Sequence, residues 1–281
     1  MSTELENLQK KIITIASTID SFCKDNDINY MLCGGTLLGS ARHEGFIPWD
    51  DDFDIAMPRE DFEKFLRCWK DTNDLSIITT NDQQYYKIAT PAKIFDVNTR
   101  VQEVGEVSNG MPEFNPYGIF IDIFPLDLYP NNFFGKLMNK YWGKVLLAKQ
   151  QSKFPMYERP PYFRLMLFFM KLFPQVALNK INNKLISIIK NSKCDSKFIG
   201  YGVDTPYDDL ITGPENILPF QRDCLFDGHY FSGPNKKEVY LETRYGDYME
   251  LPPLESRFQH IEKVMEINYK NDSVINRHKK Q

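Results

Sequence analysis

Leu5, Leu8, Ile12, Ile15, Ile19 and Phe22 recur at helical spacing, which predicts an amphipathic helix over residues 3–24. Asn29 to Cys33 reads as a short strand running into Gly34-Gly35, and residues 36–42 fit a short helix. Phe46-Ile47-Pro48 is a turn, and residues 52–57 alternate as a second strand with Phe53 and Ile55 facing a core. Pro58-Arg59-Glu60-Asp61 places a proline and acids where a helix begins. Further strands are expected at 75–79, 86–95 and 118–124. The pattern up to residue 130 is that of a mixed α/β (α+β) domain.

The character changes after Pro130. Lys136, Lys140 and Lys144 stand one helical turn apart, with Leu137, Tyr141, Val145 and Ala148 beside them. The stretch PYFRLMLFFMKLFPQVALNKINNKLISIIK is apolar and aromatic with interspersed basic residues, helical in pattern and interrupted by Pro174. Two readings suit it: ordinary core helices, or amphipathic helices of the kind that lie in a membrane interface. From Tyr201 onward Gly, Pro and Asp are frequent, predicting loops with short elements and a frayed NRHKKQ tail. The expected organisation is one domain over 1–281, with a catalytic core over 1–130, a basic helical segment over 131–200 and a loop-rich part over 201–281.

Composition narrows the setting. Five cysteines without a CxxC pair argue against a disulfide framework or zinc site and for a reducing compartment. The N-terminus lacks a signal-peptide core, and the longest apolar run, Leu165 to Met170, is far too short to span a bilayer. A cytoplasmic protein is expected. Net charge is −4, yet residues 131–200 hold 13 Lys and Arg against Glu158 and Asp195. That segment is either a basic surface meeting an anionic partner, such as the inner face of the membrane, or a solvated lysine face.

The densest chemistry lies in CGGTLLGSARHEGFIPWDDDFDIAM, residues 33–57. Asp50, Asp52 and Asp54 alternate, so on a strand all three share one face. Crowded carboxylates repel unless a cation sits among them, and hard divalent ions take oxygen ligands and bridge phosphates. The spacing also matches positions 1, 3 and 5 of a calcium loop. Ile55 and Asp61 stand where that loop needs glycine and glutamate, which excludes it. Gly34 and Gly35 leave room for close approach to the backbone, and the helix start from Thr36 offers amides to an anion.

A glycine pair, a spacer and two carboxylates on the next strand resemble the nucleotidyltransferase-fold signature. That resemblance implies a third carboxylate from a later strand, and Asp122 in YGIFIDIFPLD is its candidate, catalytic or merely structural. Asp127 suits a turn cap better. The longer block GGTLLGSARHEGFIPWDDDFDIAMPREDFEKF is similar to that of the LicD family, and the likeness continues through Lys93, Thr99, IDIFPLD and YGDYMELPPLESRFQH. The family includes bacterial phosphocholine transferases acting on surface glycans, with the fukutin-related enzymes as distant relatives. The resemblance implies transfer of a substituted phosphate, such as phosphocholine from CDP-choline, onto a sugar hydroxyl of a glycan or its lipid-linked precursor. No nucleic-acid partner is expected.

On that reading Asp52 and Asp54 hold Mg²⁺ or Mn²⁺, and Asp122 completes the site or accepts the hydroxyl proton. Asp50 stands behind them in support. Arg42 and Lys93 are candidate phosphate clamps, alternatively surface residues. Arg257 and His260 either reach the site or fasten the C-terminus, while His43 reads as an exposed loop residue. Trp49, Tyr85, Tyr86, Tyr117 and Trp142 are candidates for a cage around a quaternary ammonium group. Other CDP-activated headgroups (ethanolamine, glycerol, ribitol), nucleotidyl transfer to a drug, protein or RNA, and a membrane adaptor with an inactive site are the competing functions.

Overall fold

A computed structural model describes residues 3–80, 82, 90–268 and 273–276. The first half follows the predicted periodicities closely in α1 (Thr3–Asp25), β1 (Met31–Leu32), α2 (Gly34–His43), β2 (Asp54–Pro58), α3 (Arg59–Cys68), β3 (Leu75–Thr79) and β4 (Ala92–Asp96), and adds a strand that was not expected, β5 (Thr99–Glu103). Residues 83–89, which include Tyr85, Tyr86 and the start of the strand expected over 86–95, lie outside the described residues. The second half contains β6 (Phe120–Pro130), α4 (Phe133–Leu137), a π-helical turn (Met138–Trp142), α5 (Gly143–Gln151), α6 (Pro161–Met170), α7 (Gln175–Lys190) and β7 (Lys197–Tyr201). It continues through α8 (Pro214–Ile217), β8 (Gln221–Phe226), β9 (His229–Gly233), α9 (Lys237–Tyr245), β10 (Ile261–Asn268) and β11 (Ser273–Asn276).

Six strands form the main sheet in the order β1-β2-β6-β4-β3, with β7 also on β6. The sheet is mixed: β2 and β6 run parallel, and the other pairs antiparallel. This is the expected α/β architecture. Strand β6 is its spine. Along one edge it pairs with β2, and along the other first with β4 and then with β7.

The run predicted to end at Phe124 continues to Pro130, straight through Pro125. The Pro125 carbonyl accepts from Gly202 on the β7 side. The missing proline N–H therefore falls on that same edge, in the gap between the last β4 partner, Ile123, and the first β7 partner, Leu126. A proline is tolerated in a strand where the ladder has such a gap.

The expected reading of Asp127 as a turn cap is overturned. Asp127 lies inside β6, buried, and both its oxygens accept from Arg59 at 2.8 Å. Arg59 also binds Asp204 at 2.8 Å, and the Val203 amide donates to Asp127. The triad joins the start of α3, the centre of the sheet and the segment after β7.

The strand predicted from Asp52 begins at Asp54. Asp50 donates its amide to Ile47 in a turn, so Asp50 and Asp52 precede the ladder and do not belong to its alternation. Phe53 and Ile55 still point inward as predicted, being 1% and 2% exposed. Phe53 meets Phe46, Phe226 and Phe231 edge-to-face, at centroid distances of 6.4, 5.2 and 5.6 Å. Such pairs add about 0.5–1.5 kcal/mol each beyond area burial. They fasten the acidic segment to the β8–β9 hairpin.

The expected helices lie between Phe133 and Lys190, with Pro174 between α6 and α7, and the segment ends in strand β7. The part after Tyr201 is more ordered than its composition implies, with a hairpin, helix α9 and a three-stranded sheet β11-β10-β5. Among the described residues, no helix is long and apolar enough to cross a membrane.

Candidate active site

The parallel register of β2 and β6 sets Asp54 opposite Asp122, and the antiparallel register of β6 and β4 sets Asp122 opposite Lys93. Residues in register share a sheet face, so Lys93, Asp122 and Asp54 form one row across three strands. Asp50, Asp52, Arg42 and His260 join them around a cavity of about 800 Å³. The three aspartates predicted to share a strand face do converge, although only Asp54 is in the strand.

Gly34 and Gly35 pack closely against these carboxylates. Gly34 has φ +57°, and a Cβ there would stand 2.8 Å from Asp54 Oδ2. A Cβ on Gly35 would stand 3.0 Å from Asp50 Oδ2. The Gly34 amide donates to the Tyr240 hydroxyl at 2.9 Å. Thr36, buried, does not face the cavity; its hydroxyl accepts the Asp54 amide at 2.8 Å and ties α2 to β2. Gly34→Ala is therefore expected to cost about 1–3 kcal/mol from the left-handed backbone alone. It should also displace the Asp54 carboxylate, lowering turnover at least about tenfold; unchanged melting temperature and turnover would refute this role.

The electrostatics are unfavourable without a cation. Burial pushes Asp54 well above the usual carboxylate range, and the Asp52 and Asp122 charges add to it. Asp50 is pushed up to about 9 by burial and by Asp52. Asp52 is also raised by burial, with His260 opposing. Burial raises Asp122 too, while Lys93, its ion-pair partner, opposes the shift. The Lys93 side chain is itself 4% exposed, and its ammonium lies 3.5 Å from the centroid of the Phe120 ring.

His260 enters from the turn into β10. Its Nδ1 lies 3.3 Å from Asp52 Oδ2 and 3.4 Å from Asp51 Oδ1. Burial alone would lower its pKa, but the Asp51 contact and the Asp52 charge push it up to about 10. Asp51, which sequence reasoning passed over, is buried and accepts the amides of His260 and Ile261, each at 2.8 Å. It is the latch that brings the C-terminal block to the acidic segment.

Ligand atoms of Asp50, Asp52 and His260 all lie within 4.8 Å of one another. Two carboxylates and an imidazole at that spacing can hold a divalent ion, and Asp54 and Asp122 border them in the cavity wall. Asp50, expected in a supporting position, stands in this front row. Repelling, desolvated carboxylates with raised pKa values suit a cation on the ground of charge as well.

The remaining predicted residues divide. Arg42 lines the cavity, and its Nη1 donates to the Tyr248 and Glu250 carbonyls at 3.1 and 3.2 Å. Its Nε meets His43, so His43 is tied to Arg42. Arg257 does not line the cavity; it stacks over Trp49 at 4.4 Å and donates to the Pro252 carbonyl. Arg257 is near enough, however, to help burial draw down the Arg42 pKa.

Of the aromatic candidates, Trp49 faces the cavity. Tyr117 is fully buried with its hydroxyl on Glu103, and Trp142 packs among the helices of the basic segment. The cavity's other aromatic wall, which includes Tyr201, Tyr207 and Tyr245, was not predicted. Nor was Arg244, which lines the cavity while binding the Tyr201 hydroxyl at 2.7 Å and Asp209 at 3.0 Å. Glu238, in the first turn of α9, and the positive-φ Gly246, just past its end, are the helix signals that could have revealed it.

Residues 27–168 match the family described as LicD/FKTN/FKRP, nucleotidyltransferase domain. The chain is 28% identical over 271 residues to the lipopolysaccharide cholinephosphotransferase LicD of Haemophilus influenzae, covering 91% of this chain and 95% of that one. An uncharacterized protein of Rickettsia typhi is 56% identical over 48 residues, 16% of each chain. The family match covers half of the chain, including the glycine pair, the aspartate segment, Lys93 and Asp122, and the chain belongs to the LicD family.

Proposed function

We propose that the protein is a metal-dependent transferase moving a substituted phosphate, phosphocholine from CDP-choline, onto a sugar hydroxyl of a surface glycan or its lipid-linked precursor. The observation that carries this reading is the convergence of Asp50, Asp52, Asp54 and Asp122 on one cavity that also holds Arg42, Lys93 and Arg244. The similarity to a lipopolysaccharide cholinephosphotransferase over nearly the whole length supports the headgroup and the acceptor class.

Asp52 and Asp54, with Asp50, would hold Mg²⁺ or Mn²⁺, which supplies charge neutralisation at the donor diphosphate and its leaving nucleotide. Arg42 and Arg244 add fixed positive charge for the donor's phosphates. Lys93 keeps the Asp122 carboxylate in place, and Asp122, with a raised pKa, is suited to take the proton of the attacking hydroxyl. Trp49, Tyr201, Tyr207 and Tyr245 offer ring faces to a quaternary ammonium group. The enzyme would work in the cytoplasm, where CDP-activated donors are made.

The test is incubation with CDP-choline, CDP-ethanolamine, CDP-glycerol and CDP-ribitol plus an oligosaccharide acceptor, followed by mass spectrometry. CMP should be released from CDP-choline, with phosphocholine found on the acceptor. EDTA should stop the reaction, and excess Mg²⁺ or Mn²⁺ should restore it. Turnover with another donor alone reassigns the headgroup, and release of pyrophosphate from a nucleoside triphosphate alone would overturn the reaction class.

A further inference from the structure

The α6–α7 hairpin exposes apolar surface that neither the cavity nor the core uses. Tyr162, Leu165, Phe168, Phe169, Leu172 and Phe173 are each more than half exposed. Of the ten residues of α6 only Leu167 is buried, packed on Ala148 and Met156, and α7 is pinned by Leu178 against Leu146. Soluble proteins rarely leave so many large apolar side chains contiguous and exposed.

The tip is nevertheless held in place. Lys149 donates to the carbonyls of Met170, Lys171 and Phe173 at 2.9, 3.3 and 2.7 Å, closing the C-terminal turn of α6. The apolar side chains are thus presented on a fixed backbone.

Charge identifies the partner. Within residues 131–200 basic side chains outnumber acidic ones 13 to 2, in a chain of net charge −4. Arg164, Lys171, Lys180 and Lys184 are exposed on the hairpin itself. A protein partner would need a complementary acidic, apolar groove, whereas an anionic bilayer interface offers headgroup charge above an apolar layer. We propose that the α6–α7 hairpin docks the protein on a membrane surface carrying anionic lipid, its aromatic and aliphatic side chains entering the interface and its lysines and arginines meeting the headgroups. No helix spans the bilayer in this arrangement. Attachment is peripheral and rests on two signals, neither sufficient alone.

The test is co-sedimentation of the full chain with vesicles of phosphatidylcholine alone or with about one third phosphatidylglycerol, at low and high salt. Binding to the anionic vesicles should exceed binding to the neutral ones at least about tenfold, since each basic residue near such a surface is worth about fivefold. It should weaken in 1 M salt, where screening shortens the reach of charge to about 3 Å. F168S/F169S/L172S and, separately, K171Q/K180Q/K184Q should each lower it at least about tenfold with melting temperature unchanged. Amide exchange over 161–176 should slow on anionic vesicles and not on neutral ones. Full recovery in the supernatant under all four conditions would overturn the proposal. So would a stable dimer that ignores both vesicle types and dissociates in F168S/F169S/L172S, because the hairpin would then be a self-association surface.

Discussion

Asp54→Asn is expected to lower turnover about a thousandfold or more while raising the melting temperature of the metal-free protein. The first effect follows, on the proposed function, from loss of a carboxylate that would help hold a cation at the donor phosphates. Charge stabilisation of that kind is worth several kcal/mol, and each ~1.4 kcal/mol is a factor of ten in rate. The second effect follows from the direction of its pKa. Asp54 is raised far above its ordinary value, first by burial and then by Asp52 and Asp122, so the folded state holds its proton more tightly than the unfolded chain does. Stability therefore falls as pH rises above the unfolded value near 3.8.

Asparagine is neutral at every pH and of the same shape, and no hydrogen bond of the Asp54 side chain is seen among the described residues. The loss of stability with rising pH should thus flatten in the variant. On the proposed function, Mg²⁺ or Mn²⁺ should stabilise the wild type and should stabilise the variant less. CMP release and thermal melts from pH 5 to 9, with and without the ion, measure both effects. Near-normal turnover of Asp54→Asn and of Asp52→Asn would remove these aspartates from the reaction. A lower melting temperature for metal-free Asp54→Asn at neutral pH would contradict the electrostatic account.

The sequence made the sheet side of this site legible because the signals are local. The alternation Phe53-Asp54-Ile55 places one carboxylate out and two apolar side chains in, and Asp122 between Ile121 and Ile123 repeats the pattern. The parallel pairing of β2 with β6 then brings the two carboxylates side by side. Asp50 to Asp52 were harder, because a run of aspartates looks alike at every position. Whether one accepts backbone amides or faces a cavity depends on a segment some 210 residues away. Asp51 satisfies the amides of His260 and Ile261, and only the fold brings them to it. Arg244 and the tyrosines were missed for a related reason. The glycines, prolines and aspartates after residue 201 imply loops, yet tertiary packing orders them, with Tyr240 of α9 seated on the Gly34 amide and on Tyr201.

Arg59→Met should produce the largest loss of stability, about 3–5 kcal/mol. Arg59 is 7% exposed, and its guanidinium makes four hydrogen bonds, two to Asp127 and two to Asp204. Methionine keeps much of the apolar stem and removes the charge. The Asp127 carboxylate, with no exposed side-chain surface, would keep only the Val203 amide, and a buried charge without its partner is costly.

The triad supports β6 beyond the site rather than the cavity wall itself. Asp127 lies five residues beyond Asp122 on that strand, and the triad fixes the segment following Tyr201, which lines the cavity. Gly202 shows how tightly the segment is held, since a Cβ there would come within 2.6 Å of the Arg59 guanidinium. Urea unfolding should show a lower midpoint at unchanged slope. Turnover of the fraction that remains folded should stay near the wild-type value, because Arg59 does not line the cavity. Removing all three charges together, as Arg59→Met with Asp127→Asn and Asp204→Asn, should cost less than Arg59→Met alone. A single-variant loss below about 1 kcal/mol would mean that water or a rearranged backbone satisfies Asp127 without the arginine.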